Sequence, residues 1–367
     1  MPRLPPSLFW KARREISPLA ASLLPACRDL QSTANELRWI KEHVQDTKSP
    51  IPAKIRVWRL VEKRAKGIPL QYVLGTQPFG DLEIKCRPGV LIPRPETETY
   101  TLHLATLLTQ SHPPPPSLSI LDLCTGTGCI PLLLLHSLQT TLPQTTPITI
   151  HGVDISPTAI ALARKNHTHN PPPSPSPHHT LTFTQHDIFS PTLLSTLYPP
   201  NQNQKLPQID LLTSNPPYIS PHDFTHHTAR AVRNHEPRLA LVPSPTQLAD
   251  GSNSRYACRP EDVFYAHLLE IAKAVRPRRV LMEVGGWEQA VRVVGMVFLG
   301  GEGGKDRGGG GGVGGYEVEV WRDEPAAAAA SSGATGDGVE RVEVAGREVV
   351  VRGVGRGRAV YLRLRED

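Results

Sequence analysis

The sequence predicts an α/β protein: a doubly wound, mostly parallel sheet with an antiparallel edge strand, preceded by a small N-terminal helical domain. Three observations lead to this prediction. Apolar residues between positions 17 and 65 recur mostly at three- and four-residue spacing, the period of amphipathic helices. From residue 120 onward, short apolar runs alternate with helical patterns, an order that produces parallel strands. Segments rich in proline or glycine interrupt this order without changing it.

Length, charge and cysteine usage limit the possible functions. The 367 residues exceed one domain of roughly 100–200 residues, so we expect a catalytic-sized unit and a smaller one. A net charge of +6 fits an acidic or nucleic-acid-bound partner, and it fits a solvated basic surface equally well. The five cysteines contain no CxxC pair, so no metal site or disulfide framework is predicted. No apolar run approaches the roughly 20 residues that span a membrane, so no membrane partner is expected.

The first 93 residues divide into two parts. Residues 1–67 are predicted to form the helical domain. Residues 68–93 are predicted to form a hairpin-like linker, with strand-like runs around 72–74 and 82–84 between glycines and prolines. Residues 1–14 carry four basic and no acidic side chains, as organelle transit segments do; alternatively, they begin the first helix of the folded domain.

Residues 94–367 form the predicted catalytic domain. Its first helix follows Arg94 with a proline and then acidic residues, as helix N-termini prefer. Further helices are predicted over 130–138, 157–166, 263–275 and from 287 onward. Strands are predicted over 120–123, 148–153, 181–185, 209–214, 279–284, 316–321 and 359–364. Four segments whose composition cannot offset the entropy of ordering are predicted as disordered insertions, near 170–179, 199–207, 300–315 and 326–338.

Three strand ends carry residues that suit a nucleotide-like cofactor. After Asp122 comes the turn Thr125-Gly126-Thr127-Gly128-Cys129, whose glycines let the backbone approach a ligand. The third glycine of a dinucleotide fingerprint is replaced by Pro131, which argues against a nicotinamide or flavin cofactor. Asp154 is placed to bind ribose hydroxyls, or else to cap the next helix. Asp187 is placed to accept a hydrogen bond from an adenine amino group, although loops after strands are often acidic.

The stretch Asn215-Pro216-Pro217-Tyr218 ends the strand predicted over 209–214. An asparagine side-chain oxygen and a neighbouring backbone carbonyl are two acceptors that can hold both N–H bonds of an amino or amide group. Proline restricts φ and the preceding residue, and tyrosine adds a flat apolar wall. Such a site aims a weakly nucleophilic nitrogen at an electrophilic methyl group, so catalysis would come from positioning and not from an ionised base.

With these residues in place, the chain resembles class I S-adenosylmethionine-dependent methyltransferases, and within them the HemK/PrmC family of release-factor glutamine N5-methyltransferases. The most specific stretches are those at 69–75, 90–98, 122–129, 215–219 and 236–237. The first two distinguish this family from nucleic-acid amino methyltransferases, which share only the Asn-Pro-Pro-Tyr signature. The resemblance implies S-adenosylmethionine as cofactor and, as substrate, the glutamine of the Gly-Gly-Gln loop of a class I peptide chain release factor.

The resemblance also implies residue roles. Thr125 to Cys129 would hold the methionine end of the cofactor, Asp154 its ribose, and the Asp187-Ile188 turn its adenine. Asn215 would also lie against the cofactor. Asn215 and the Pro216 carbonyl would accept the glutamine amide hydrogens, with Pro217 and Tyr218 completing the substrate site. The N-terminal helical domain would dock the release factor.

Two departures from the family pattern affect the cofactor side. Cys124 stands where many relatives have glycine, and Ile188 where an aromatic residue is common. The basic start and the low-complexity insertions suggest a eukaryotic mitochondrial member, with the cytoplasm as the alternative location. We expect a monomer without a stable nucleic-acid partner.

Two other functions compete with this interpretation. An adenine-N6 methyltransferase acting on DNA or RNA would use the same amino-group site, but it would need a basic, aromatic face, which the sequence near 215–240 lacks. A non-catalytic docking module would keep the fold without the activity, and the intact Asn215 and glycine turn argue against it.

Overall fold

The computed structural model of the chain describes residues 3–110, 115–172, 175–199, 207–251, 258–299, 315–327 and 340–365. The chain divides into two compact units. The first comprises Met1–Gln77, Lys85–Ile92 and Thr228–Glu236, and the second comprises Pro78–Ile84, Pro93–His227 and Pro237–Asp367. Of the four predicted insertions, those near 199–207, 300–315 and 326–338 lie almost entirely outside the described residues.

Five helices build most of the first unit. They are α1 (Pro6–Lys11), which continues into a π-helical turn at Ala12–Ile16, α2 (Pro18–Cys27), α3 (Leu30–Asp46), α4 (Ala53–Ala65) and α5 (Leu70–Leu74). Ser17 and Asp29 cap α2 and α3, because each side chain accepts a hydrogen bond from the backbone N–H three residues later. The helical pattern predicted over 17–65 is therefore confirmed.

The apolar stripes of these helices form a separate small core. Leu23, Leu37 and Val61 are buried in it, and Arg64 donates to both carboxylate oxygens of Glu36 at 2.6 and 3.0 Å beside it. A bidentate pair of this kind fixes geometry as well as charge, so it sets how α3 and α4 pack together.

The segment predicted as a hairpin-like linker contains a helix as well as a hairpin. Strands β1 (Thr76–Phe79) and β2 (Leu82–Lys85) form a two-stranded sheet. The strand predicted around 72–74 is wrong, because these residues belong to α5. That helix ends at Gly75, whose φ of 86° is a left-handed conformation that glycine adopts without steric cost.

The second unit carries the large sheet. Its strands are β3 (Leu118–Leu123), β4 (Ile148–Asp154), β5 (His179–Gln185), β6 (Leu211–Ser214), β7 (Arg279–Glu283), β8 (Tyr316–Glu324), β9 (Glu340–Val344), β10 (Arg347–Arg352) and β11 (Val354–Leu364). The remaining helices are α6 (Pro95–Thr109), α7 (Cys129–Thr141), α8 (Pro157–His169), α9 (Leu193–Leu197), α10 (Pro221–His226), α11 (Arg230–His235, in the first unit), α12 (Pro245–Gly251), α13 (Val263–Val275) and α14 (Trp287–Leu299).

The sheet has the order β5-β4-β3-β6-β7-β11-β8-β10-β9. The five strands β5, β4, β3, β6 and β7 are parallel to their neighbours. Strand β11 is antiparallel to β7 and β8, and the edge strand β9 is antiparallel to β10. Successive residues of β3 enter two core clusters: Leu121 packs with residues of α13 and α14, and Ile120 with residues of α6 and α7. Helices therefore cover both faces, and the predicted doubly wound, mostly parallel sheet with an antiparallel edge is confirmed.

Strands β9 and β10 were not predicted from the sequence. They are joined by Ala345 and Gly346 at φ 52° and 73°, the paired positive values of a tight hairpin turn. Alanine is unusual there, so the turn carries a weak sequence signal. In the part of the chain that the structure describes, no helix has the length and apolar character to cross a bilayer.

Candidate active site

Four neighbouring parallel strands bring the predicted cofactor and substrate residues to one edge of the sheet. Leu123 at the end of β3 lies opposite Val153 of β4 on one side and Ser214 of β6 on the other. On the next strand pair, Asp154 lies opposite Gln185 of β5. The segments that follow these strand ends start side by side, where open α/β sheets bind their ligands.

The glycine turn leaves β3 in a left-handed conformation. Cys124, Gly126 and Gly128 have φ values of 63°, 55° and 78°. A side chain added at Gly126 would meet no atom within 4 Å, so a ligand can approach the backbone there, whereas at Gly128 it would lie 3.0 Å from the Phe183 ring. Gly126 is therefore open toward the edge, and Gly128 lets the turn pack closely on the core.

Thr127 and Cys129 lie in the buried part of this turn. The Thr127 carbonyl accepts a hydrogen bond from the Asn166 amide at 2.9 Å. Burial raises the pKa of the Cys129 thiol to about 12, so this thiol stays neutral. These two positions face the protein interior with their side chains, and only their backbone is suited to a ligand role.

Asp154 is held by two backbone N–H groups. Gly126 donates to Oδ2 at 2.9 Å and Ser156 donates to Oδ1 at 2.8 Å. Each oxygen keeps a further acceptor position, as ribose hydroxyls require. Burial raises the pKa of the Asp154 carboxyl, and the two backbone hydrogen bonds oppose that rise. The alternative role as helix cap belongs to Ser156, whose side chain accepts from Ala159 N at the start of α8.

Asp122 is buried at the end of β3, before the glycine turn. The Thr213 hydroxyl donates to Asp122 Oδ1 at 2.7 Å, and the Thr125 hydroxyl also faces this carboxylate. Burial raises the pKa of Asp122 from 3.8 to about 7, and the two hydroxyls oppose that rise. The feature of this turn that fits a cofactor is therefore the open backbone at Gly126.

The Asp187-Ile188 turn is split between the edge and the core. Asp187 is partly exposed, and its Oδ1 accepts from Phe189 N at 3.0 Å. Ile188 is buried in the core, and its carbonyl is hydrogen-bonded to His267 at 2.7 Å. The neighbouring Phe189 is the aromatic residue at this turn, and its ring stacks on His267 with centroids 4.5 Å apart.

Asn215 is the first residue after β6 and is partly exposed, whereas Pro216 and Pro217 are buried. The Ser214 hydroxyl donates to the Leu123 carbonyl at 2.8 Å, which anchors this strand end beside the glycine turn. Each of the two buried prolines fixes its own φ and restricts the residue before it, so the backbone at Asn215 and Pro216 has little freedom. Asn215 thus projects from a rigid backbone at the same edge as Asp154.

Tyr218 is hydrogen-bonded to Glu283, a residue that was not assigned to the site from the sequence. Its hydroxyl donates to Glu283 Oε1 at 3.1 Å, and the other oxygen of that buried carboxylate accepts from Thr97 at 2.6 Å and Tyr100 at 2.9 Å. Burial raises the pKa of Glu283, while the hydrogen bonds and the Arg358 guanidinium oppose the rise. Thr97 belongs to the specific stretch at 90–98 and Tyr100 lies just after it, so their spacing of three on α6 was the available signal.

Arg358 reaches this region through an irregularity in β11. The pairing of β11 with β8 shifts register between Val354 and Gly357 and again between Gly357 and Ala359, as at a β-bulge. Arg358 there lies 2.8 Å from Asp323 and 3.8 Å from Glu96. A cation is thereby placed near the buried carboxylate of Glu283, which it stabilises.

Comparison with known proteins identifies the family. No protein-family model matches the chain. The mitochondrial MRF1 N(5)-glutamine methyltransferase MTQ1 of Saccharomyces cerevisiae is 40% identical over 246 residues, covering 66% of this chain and 68% of that protein. The release factor glutamine methyltransferase of Haemophilus influenzae is 30% identical over 251 residues, covering 68% of this chain and 74% of that protein.

Among solved structures, an S-adenosylmethionine-dependent methyltransferase from Agrobacterium tumefaciens is 12% identical, covering 79% of this chain and 70% of that chain. The TM-score of this comparison is 0.39, so the structural similarity is weak. The relatives in sequence, in contrast, match over two thirds of their own length. The chain therefore belongs to the family of S-adenosylmethionine-dependent release-factor glutamine N5-methyltransferases.

Proposed function

We propose that this protein transfers a methyl group from S-adenosylmethionine to the side-chain amide nitrogen of the glutamine in the Gly-Gly-Gln motif of a class I peptide chain release factor, in mitochondria. The observation that carries the proposal is the register of β3, β4 and β6, because Asp154 and Asn215 end the two strands that flank β3 and its glycine turn. A nitrogen held at Asn215 then lies next to a cofactor held by the neighbouring strand ends.

The contacts of the sheet edge support an assignment of the cofactor-binding residues. We assign the methionine end to the turn at 125–129, the ribose to Asp154 and the adenine to the Asp187-Ile188 turn, with Asn215 on the cofactor's reactive side. Bound S-adenosylmethionine supplies an electrophilic methyl group. The open Gly126 supports this assignment, because a ligand can approach its backbone closely.

The substrate amide is assigned to Asn215, Pro216, Pro217 and Tyr218. The Asn215 side-chain oxygen and the Pro216 carbonyl accept its two N–H bonds, and Tyr218 packs on its plane. An amide nitrogen is a poor nucleophile because its lone pair is delocalised, and two acceptors on its hydrogens raise its electron density. The rate gain comes from orientation and fixed dipoles, so no ionised base is required.

The N-terminal helical unit is assigned to docking of the release factor. Five of the eight large apolar side chains that are exposed in the described chain belong to it: Trp10, Trp39, Ile51, Ile55 and Trp58. Exposed tryptophans are unfavourable in water and are the side chains that most often dominate protein interfaces. Mitochondrial location rests on the yeast mitochondrial relative.

The substrate is tested with labelled S-adenosylmethionine and four acceptors supplied separately: a mitochondrial-type release factor, its Gly-Gly-Gln Gln→Ala variant, duplex DNA and single-stranded RNA. Label on the wild-type factor alone supports the proposal. Label on nucleic acid would establish the adenine-N6 alternative, and no label on any acceptor would favour a docking module.

Docking is tested by replacing Trp58, which is 55% exposed on α4, with alanine. Loss of an interface tryptophan should raise KM for the intact release factor at least about tenfold, and it should leave KM for a short Gly-Gly-Gln peptide unchanged. Leu102→Ala, which removes an exposed leucine of α6, is the control and should change neither value.

A further inference from the structure

The stretch Arg94-Pro95-Glu96-Thr97-Glu98 has a distinctive pattern but no part in holding the cofactor or the substrate amide in the function proposed above. The structure shows where it leads. Pro95 begins α6, and the first two turns of that helix point the hydroxyls of Thr97 and Tyr100 at Glu283. Both hydroxyls are buried, and both bond the same oxygen, Oε2, at 2.6 and 2.9 Å.

Glu283 is arranged as an acceptor of three hydroxyl groups. Oε2 receives Thr97 and Tyr100, and Oε1 receives Tyr218 at 3.1 Å. Ionised carboxylate oxygens only accept hydrogen bonds, so three O–H donors match a charged Glu283, and Arg358 balances its charge. Its backbone carbonyl is also occupied, because Tyr265 donates to it at 2.7 Å.

Tyr218 is held at two further points. Its carbonyl accepts a hydrogen bond from Gln289 Nε2 at 3.2 Å, and Gln289 Oε1 accepts from Gly285 N at 2.8 Å. A Cβ at Gly285 would lie 3.1 Å from the Tyr218 ring, so a side chain there would press on the ring. The backbone and one ring edge are thus fixed, and the Glu283 hydrogen bond fixes the hydroxyl end.

We infer that Glu283 is a positioning residue for methyl transfer, which orients the Tyr218 ring against the substrate amide and is itself held by Thr97 and Tyr100 of α6. The inference rests on the proposed function, in which the Tyr218 ring packs against the substrate amide. It assigns the stretch at 94–98 a role in the geometry of that site. The Tyr218 ring is restrained at its hydroxyl, its backbone and one edge, so it keeps one orientation. An amide that packs on the ring is therefore held in one orientation too.

The test is a double-mutant cycle between Glu283→Gln and Tyr218→Phe. Glutamine keeps the shape of Glu283 but replaces an acceptor oxygen with an NH₂ donor, so at least one hydroxyl loses its partner. Asp210→Asn and Tyr316→Phe are matched controls: Asp210 is a buried carboxylate that accepts from Ser119 N at 2.8 Å, and the buried Tyr316 hydroxyl donates to the Pro277 carbonyl. For each variant, kcat, the KM for the release factor, the dissociation constant of S-adenosylmethionine and the urea midpoint of unfolding are measured.

Glu283→Gln is expected to lower kcat roughly 10- to 50-fold, with cofactor affinity within about twofold of wild type. The double variant should be no slower than the slower single variant, because both changes remove the same restraint. The controls should keep wild-type kcat even where they lower the urea midpoint. The inference is overturned if Glu283→Gln keeps wild-type kcat, if the two losses multiply, or if kcat falls only in proportion to the loss of folded protein. A wild-type protein that does not methylate the release factor overturns the proposed function as well, and that result is distinct from the others.

Discussion

Backbone N–H groups hold Asp154 on the cofactor side of the sheet edge, whereas side-chain hydroxyls hold Glu283 on the substrate side. Asp154 takes N–H groups from Gly126 and Ser156, which are 28 and 2 residues away in sequence. Glu283 takes hydroxyls from Thr97, Tyr100 and Tyr218, which are 186, 183 and 65 residues away. The cofactor side is thus built locally, and the substrate side is assembled from distant parts of the chain.

This difference has a consequence for mutational sensitivity. Backbone donors survive replacement of their own side chains, so the hydrogen bonds at Asp154 are lost only when Asp154 itself is replaced. Glu283, in contrast, loses one hydrogen-bond donor with every replacement of Thr97, Tyr100 or Tyr218. Substitutions on the two sides should therefore separate into effects on cofactor affinity and effects on turnover.

The largest effect is expected for Asn215→Ala. Removing the acceptor of the amide hydrogens should lower kcat at least roughly 10³-fold, the scale of losing a preorganised electrostatic contact. The affinity for S-adenosylmethionine, measured by calorimetry, should stay within a few-fold of wild type, because Asp154 and the glycine turn remain. Asn234→Ala, at an exposed asparagine of α11, should behave as wild type. Loss of cofactor binding together with turnover would contradict the separation of the two sides.

Asp122 should make stability depend on pH. Its pKa rises from 3.8 to about 7 in the folded protein, so the folded state binds the proton more tightly than the unfolded state does. Its contribution to the free energy of unfolding should therefore be full below pH 4 and fall by about 4 kcal/mol as the pH rises to 7. Urea unfolding of the cofactor-free protein at several pH values measures this fall, and Asp122→Asn should remove most of it. An unchanged pH slope in the variant would assign the effect to other groups.

Asp154→Ala should show the opposite pattern to Asn215→Ala. The change deprives Gly126 N–H and Ser156 N–H of their acceptor and removes the proposed ribose contact. Cofactor affinity should fall roughly 30- to 100-fold, since hydrogen bonds to a charged group are each worth about 1.5–3 kcal/mol. At saturating cofactor, kcat should recover to within a few-fold. Asp81→Ala, at a carboxylate that is 88% exposed, is the control.

The smallest effect is expected for Thr97→Val. The variant removes one of three hydroxyl donors to Glu283 and keeps the shape of the side chain. We expect kcat to fall about three- to tenfold, in line with a hydrogen bond worth roughly 1 kcal/mol, and cofactor affinity to stay constant. Thr99→Val on the same helix removes only an exposed hydroxyl bond to the Pro95 carbonyl and should have no effect. Equal losses in the two variants would show that α6 is sensitive to any such change.

Much of the cofactor edge could be predicted because its information is local. Strand ends, glycines and the acidic residues after them are neighbours in sequence, and the parallel order of strands brings them together. The parallel direction of these strands follows from the alternation of strands and helices, whereas the order in which β4 and β6 flank β3 comes from the structure. The predicted roles of these residues remain proposals, whereas the sheet that positions them is confirmed.

Other features depend on contacts that no local pattern encodes. Glu283 lies within the strand predicted over 279–284, but its three donors lie far from it in sequence, so the hydrogen-bonded carboxylate is recognised only in the folded structure. The strand predicted around 72–74 is wrong because apolar character without period suits a short helix as well as a strand. The burial of the Ile188 side chain in the core also could not be read from the sequence, so its proposed place at the adenine turn concerns its backbone.

The most direct test of the account is to locate the methyl group by tandem mass spectrometry on the release factor after incubation with S-adenosylmethionine and either wild-type protein or Asn215→Ala. With wild-type protein we expect one methyl group on the side-chain amide of the Gly-Gly-Gln glutamine. With Asn215→Ala we expect none, although that variant binds the cofactor. A methyl group on any other residue, or methylation of the glutamine by the variant at the wild-type rate, would contradict the account.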